Sequence, residues 1–346
     1  MAVPEPDVAR GGATSRVRGF GGTAISVQER GVPGAPTVVL VHGYPDDHHV
    51  WDLVAERLGP DHHVVTYDVR GAGASDAPPG RHCYRMEALV ADLVAVADAV
   101  CPGRPVHLVG HDWGSVQGWA AVCDPARAGR FASFTSMSGP GLDHVGAWIR
   151  ARLRPGGGRW HQLADQAWHS WYVAALHTPL APLAWRHGLG RIWPAVVGRE
   201  GAVIDGRWPG PDLVANGARG VELYRANIFR GAGILRGAGI LRGAGILAGA
   251  GISAGAGISG GARRPRLVRT DVPVQLVVAG DDRYVTPALL DGAEEWATTL
   301  VRRAVAGPHW LPRWRPDEVA AWVAAHVAAV EAGTVAEAGT VAEAGT

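Results

Sequence analysis

Val106-His107-Leu108-Val109-Gly110-His111-Asp112-Trp113-Gly114 joins an apolar run to a helix-forming one through a bend flanked by glycines. Val106 to Val109 shows no polar alternation, which predicts a strand buried on both faces, as in parallel sheets. A helix is expected from Trp113 to Cys123. Gly110 and Gly114 flank Asp112 at the spacing of the sharp strand-to-helix turn that lifts a nucleophile above a sheet. A carboxylate in that place gains little by attacking a peptide or ester. It can attack a saturated carbon bearing a strained or good leaving group, and water then frees the resulting ester. The blander reading of Asp112 is a helix N-cap. Ser115 lies inside the helix, past the turn, and reads as packing.

The same pattern recurs outward along the chain. Thr37–Val41, His63–Tyr67 and Val274–Val278 are further β-branched runs, and Ala132–Met137 is a weaker one. Residues 16–31 read as a hairpin closed by the turn cluster Gly31-Val32-Pro33-Gly34. Met86 to Ala99 predicts a helix with Leu89, Leu93 and Val96 on one face and Asp92 on the surface. Pro316 to Val330 predicts another, with Pro at its start. Strands alternating with helices imply an α/β sheet. From Gly139 to Arg266 the alternation stops, so 139–266 is expected to be a helical lid inserted into a core of 16–138 and 267–330.

Two segments are low in complexity. Residues 230–261 repeat Gly-Ala-Gly-Ile, and 331–346 repeat Glu-Ala-Gly-Thr-Val-Ala. Such repeats lose much backbone entropy on ordering and offer few side chains to pack, so a mobile insertion and a disordered tail are expected. Gly255-Ala256-Gly257-Ile258-Ser259-Gly260 matches a dinucleotide fingerprint. No strand precedes it, so nucleotide binding is rejected.

The whole chain has 33 basic and 32 acidic residues, for a net charge of +1, and every basic residue is Arg. That balance gives no electrostatic case for nucleic acid or an anionic membrane surface. Cys83, Cys101 and Cys123 are an odd, widely spaced set, so a reducing compartment is expected. No apolar run reaches the ~20 residues of a membrane span. The N-terminus lacks the apolar stretch of a signal peptide. A cytoplasmic protein, monomeric or homodimeric, is expected.

Three further motifs complete a constellation. His42-Gly43-Tyr44-Pro45 follows the first buried run, and its Tyr44 N–H, with that of Trp113, could stabilise an oxyanion. Gly307-Pro308-His309-Trp310 places a His late in the chain, where a general base belongs in the order nucleophile, acid, base. In Val278-Ala279-Gly280-Asp281-Asp282, either Asp could orient that base. Asp282 is preferred for its spacing to Pro287.

These motifs, with Asp68-Val69-Arg70-Gly71-Ala72-Gly73-Ala74-Ser75-Asp76, together resemble the epoxide hydrolase branch of the α/β-hydrolases. The similarity covers most of 16–330 and extends to the hydrolase domain that some actinobacterial proteins fuse to a short-chain dehydrogenase. No second domain of that kind is seen in this sequence. The resemblance implies an α/β-hydrolase fold, a mostly parallel central sheet with helices on both faces and an inserted helical lid. It implies Asp112 as nucleophile, His309 as water-activating base and Asp282 as its partner. The Tyr44–Pro45 bond is often cis in this family. Family members also use lid tyrosines to protonate the opening epoxide. Tyr224-Arg225-Ala226-Asn227 approximates one such context; at the place of the second tyrosine stands Ala175, before Leu176-His177-Thr178-Pro179, so either Tyr172, one helical turn earlier, substitutes or the second donor is missing. No cofactor or metal is implied, and the substrate is expected to be small and apolar. Trp148, Trp160, Trp168, Trp171, Trp185, Trp193 and Trp208 are expected mostly to fill the lid core. A haloalkane dehalogenase would use the same Asp, His and acid with Trp113 on the halide, but Tyr44 stands where such enzymes often carry an Asn. A non-catalytic binder of apolar ligands is the other alternative.

Overall fold

The structure, a computed structural model, describes residues 12–154, 159–228, 268–335 and 339–342. β1 (Ala13–Arg18) and β2 (Ala24–Gly31) form the antiparallel hairpin, and β2 continues antiparallel onto β4 (His63–Tyr67). The rest is parallel: β3 (Thr37–Val41), β5 (Val106–His111), β6 (Phe131–Met137), β7 (Val274–Ala279), β8 (Leu300–Val305) and β9 (Gly339–Ala342). The nine strands lie in the order β1-β2-β4-β3-β5-β6-β7-β8-β9.

The unbroken apolar runs are explained by two cores, one on each face of the sheet. Val39 and Val41 of β3 pack on the side of α2 (Met86–Val100) and α3 (Trp113–Val122), with Leu93 and Trp119. Val38 and Leu40 point the other way, to α1 (Asp52–Leu58) and a helix at Pro316–Glu331, with Val54 and Val323. Successive strand residues face opposite sides, so both must be apolar when both faces are covered. Each such side chain contributes about 1.5–3 kcal/mol. β6 looks weak in sequence because of its hydroxyls, yet they are satisfied inside. Ser136 Oγ pairs with Ser115 Oγ at 2.7 Å and accepts Trp119 Nε1–H at 3.0 Å.

Between β6 and β7 lie α4 (Leu142–Leu153), α5 (Trp160–His169), α6 (Trp171–His177), α7 (Ala181–Ala184), α8 (Gly190–Arg199) and α9 (Leu213–Asn227). After β8 come α10 (Leu311–Trp314) and the long α11 (Pro316–Glu331). α9 is bound along its length to the sheet's loops. Tyr44 OH donates to Gly217 O at 2.9 Å, and Asn216 Oδ1 accepts Gly73 N–H at 2.9 Å. Asn227 Oδ1 accepts Met86 N–H and its Nδ2 donates to Tyr84 O, both at 2.8 Å.

Three expectations change. Asp92 is buried, not on the surface, because it takes both Nε–H and Nη2–H of Arg70 at 2.6 Å and Phe20 N–H at 2.7 Å. Trp148, Trp185 and Trp208 are buried as expected, but Trp160, Trp168 and Trp171 are exposed. The tail expected to be disordered from 331 contributes β9, whose backbone pairs in parallel with the free edge of β8. The repeat at 230–261 and the fingerprint-like Gly255–Gly260 lie outside the described residues.

Candidate active site

The loops at the carboxyl ends of the parallel strands converge on Asp112. It is the N-cap of α3, with φ 51° and ψ −120°, and its side chain makes no capping bond to that helix. A positive φ in a non-glycine residue stores strain. The neighbours that hold it have no room for side chains. A Cβ at Gly114 would lie 2.0 Å from Val41 O, and one at Gly43 would lie 2.3 Å from Asp112 Oδ1. Asp112 thus occupies the cap position while its carboxylate points elsewhere.

That carboxylate faces two sets of groups. Tyr44 N–H donates to Oδ1 at 2.7 Å, and Trp113 N–H also donates to the carboxylate. The Tyr44–Pro45 bond is cis. Oδ2 faces His309 Nε2 at 3.7 Å. His309 is buried, and its Nδ1 pairs with Asp282 Oδ2 at 2.9 Å. Asp282 Oδ1 accepts Tyr284 N–H at 2.8 Å and Val285 N–H at 3.0 Å. Asp281 is exposed and its N–H is spent on Gly307 O, so the structure brings Asp282, not its neighbour, to the imidazole.

Burial pushes the Asp112 carboxyl up to about 6, against the pull of His309 and the two N–H donors. Burial disfavours the His309 cation, but the charge and hydrogen bond of Asp282, with Asp112 behind it, carry its pKa up to about 9. Asp282 stays below the usual carboxylate range: burial opposes this, and the His309 charge, its hydrogen bond and the two backbone donors outweigh it.

Asp112 and Trp113 open onto a cavity of about 570 Å³ with walls from both α3 and the inserted helices, including Val116, Leu142, Val145, Leu163, Tyr172 and Tyr224. Tyr172 and Tyr224 meet edge to face with ring centroids 6.0 Å apart, and Tyr224 stands edge to face on Trp113 at 5.0 Å. Burial, then the nearby Asp112 charge, holds the Tyr172 phenol well above its ordinary value. Burial does the same for Tyr224, with Tyr172 and Asp112 adding to it. Both phenols therefore stay protonated and able to donate. Of the site residues expected from the sequence, Asp112, Trp113, Tyr172 and Tyr224 line this cavity, Tyr44 and His309 stand against Asp112, and Asp282 lies behind His309.

Several supporting residues gave no sequence signal. Asp46 accepts Trp208 Nε1–H at 2.9 Å and Trp310 Nε1–H at 3.0 Å, tying the inserted segment and the His309 loop to the Tyr44 loop. Burial raises its pKa to about 7. His111 Nε2 donates to His309 O at 2.9 Å. Its pKa, lowered to about 3 by burial and then by the His309 charge, keeps it neutral. Gln166 of α5 binds the acid loop, donating to Tyr284 O at 2.9 Å and accepting Thr286 Oγ1–H at 2.8 Å. Of these residues, Trp208 stands among the lid tryptophans expected from the sequence and Trp310 follows His309 in its motif. Among the described residues, Asp47, His48 and His49 bring metal-ligating atoms close together, but His48 Nδ1 is engaged by Asp68 and His49 Nδ1 by Asp52.

A strand-turn-helix bend presenting a carboxylate, with a late His and an acid beside it on this sheet, is an arrangement of the α/β-hydrolase fold. The family model for the alpha/beta hydrolase fold matches residues 36–159. The Mycobacterium tuberculosis protein named "Probable oxidoreductase EphD" is 35% identical over 309 residues, which is 87% of this chain and 47% of that protein. Epoxide hydrolase A of the same organism is 38% identical over 133 residues, 38% of this chain and 40% of the relative. The chain thus spans about half the length, 47% and 40%, of these curated relatives. A Bacillus megaterium epoxide hydrolase, crystallised with an inhibitor, superposes with a TM-score of 0.68 at 18% identity, covering 91% of this chain and 99% of that one. The chain thus has the α/β-hydrolase fold and is similar to epoxide hydrolase-like proteins.

Proposed function

We propose that the protein opens apolar epoxides to diols through an alkyl ester on Asp112. The supporting observation is one carboxylate with two differently used oxygens: Oδ1 under the Tyr44 N–H, Oδ2 toward the cavity and His309. In the first step Oδ2 attacks an epoxide carbon and the carbon–oxygen bond breaks. The alkoxide takes the phenolic proton of Tyr224, with Tyr172 as second donor. In the second step His309 Nε2 takes a proton from water, and the hydroxide adds to the ester carbonyl. The oxyanion forms on Oδ1, where the Tyr44 and Trp113 N–H groups already point. Collapse expels the diol's oxygen, which takes the His309 proton. The new Asp112 acid ionises and returns a proton to the phenolate. Asp282 holds the imidazole and stabilises its cation.

In this reading the helices between β6 and β7 are a lid. They supply the tyrosines and the apolar walls, and a site of this kind favours substrates with large apolar groups.

One turnover in heavy-oxygen water tests the covalent route. Label is expected in the Asp112 carboxylate and not in the first diol, and a labelled first-turnover diol overturns it. His309→Gln is expected to alkylate and then stall, so the intact protein gains the mass of the epoxide. Halide release from chloroalkanes in place of diol formation points to the dehalogenase. Tight epoxide binding with no turnover points to a binder.

A further inference from the structure

We infer that the outer face of α5 and α6 docks on an anionic lipid surface, with the cavity opening toward the bilayer. α5 is amphipathic in the wrong sense for a core helix. Trp160, Leu163, Ala164, Ala167, Trp168 and Trp171 follow the spacing of one helical stripe. Yet Trp160, Trp168 and Trp171 are 72%, 77% and 68% exposed, and the buried residue of α5 is Gln166. A contiguous exposed aromatic stripe marks an interaction surface. Tryptophan is the residue that membrane–water boundaries favour.

The stripe is continuous with the cavity. Leu163, Ala167 and Trp171 line it, as does Leu153 at the end of α4, itself 53% exposed. An apolar molecule leaving a bilayer there would meet walls that are mostly apolar, with Gln166 and Ser170 among them, before reaching Tyr172.

Charge selects an anionic lipid as the occupant. The described residues 139–154 and 159–228 hold 10 Arg against 6 acidic residues, a net +4 in a chain whose total is +1. The near-zero total hides this division. Arg154 and Arg159 end α4 and begin α5, beside Leu153 and Trp160. Like Arg150, they make no ion pair among the described residues. Unpaired arginines around an exposed tryptophan stripe fit headgroup phosphates, with their aliphatic stems on the apolar face.

Flotation of the full chain with vesicles tests this. Phosphatidylglycerol-containing vesicles are expected to carry the protein at least about tenfold better than pure phosphatidylcholine, with salt reducing the difference. Trp160→Ala with Trp168→Ala is expected to lower partitioning about tenfold. Arg154→Gln with Arg159→Gln is expected to remove most of the anionic preference. Neither pair lines the cavity, so turnover of a short, water-soluble epoxide is expected to be unchanged. Equal flotation with both lipids overturns the inference, as does unchanged flotation of the tryptophan pair. Conversion of a dimer to a monomer by the tryptophan pair, seen in sedimentation, also overturns it, since a second copy then covers the stripe. Vesicle binding is read without turnover, so its failure is distinct from failure of the epoxide reading.

Discussion

At the scale of single residues, the candidate site is a charge pair, and the proposed reaction would use its two members in turn. Asp112 at about 6 and His309 at about 9 mean that near neutrality the resting pair is carboxylate and imidazolium. Attack needs the carboxylate, so ester formation is expected to fall as pH drops through about 6. Hydrolysis needs the neutral imidazole. Esterification removes the Asp112 charge, one of the influences that raise His309, so its midpoint in the ester should lie below 9. Stopped-flow tryptophan fluorescence separates the two phases. Ester formation that stays constant to a pH well below 6 contradicts the assignment. The same shifts act on stability. The His309 contribution is complete below its unfolded value of 6.5 and lost as pH rises through about 9. That of Asp282, whose pKa is lowered, is present above 3.8 and lost on acidification. Asp112, His309 and Tyr44 were legible because each sits in a local motif with its own backbone requirement. Asp46 was not, because its partners Trp208 and Trp310 lie 162 and 264 residues away in sequence.

At the scale of elements, apolar runs placed β3, β4, β5 and β7 within a residue or two, since a strand covered on both faces has no other way to be written. Helical periodicity placed the inner face of α2 but misassigned Asp92. A stripe of apolar residues fixes which side is buried and says nothing about a charge buried beside it. The neutralising Arg70 comes from the loop after β4, 22 residues earlier. That pair carries a definite cost when broken. Asp92→Ala leaves a buried guanidinium without its carboxylate and should destabilise the fold by about 3–5 kcal/mol. Replacing both by apolar residues of similar size should recover much of this loss. Urea unfolding reads both effects as a shift in midpoint at constant slope. An Asp92→Ala midpoint equal to that of the parent chain removes the pair from the account of stability. Trp160, Trp168 and Trp171 depart from the expected lid core for a related reason: their spacing has the period of a core helix, and period alone does not tell whether protein or solvent lies against it.

At the scale of the whole molecule, the proposed chemistry is divided between the loops of the sheet, which carry Asp112, His309 and Asp282, and the helices between β6 and β7, which carry Tyr172 and Tyr224. The two must keep register for both half-reactions to share one carboxylate. α9 does this, since it carries Tyr224 and is hydrogen-bonded to the loops after β3 and β4 through Asn216 and Gly217. Its far end is held by Asn227, which satisfies both Met86 N–H and Tyr84 O. Asn227→Ala keeps the helix former and deletes both ties, three residues from Tyr224. Ring opening depends on where that phenol stands, and a displacement of about 1 Å can cost on the order of a hundredfold. In the proposed reaction ester hydrolysis uses Tyr44, Trp113, His309 and Asp282, none of which lies on α9. The variant should therefore slow ester formation by about ten- to a hundredfold while leaving the decay of preformed ester within about twofold. Rapid-quench measurement of the two phases decides the matter: equal slowing of both would mean that α9 supports the fold as a whole, and slowing of hydrolysis alone would place Tyr224 outside the ring-opening step.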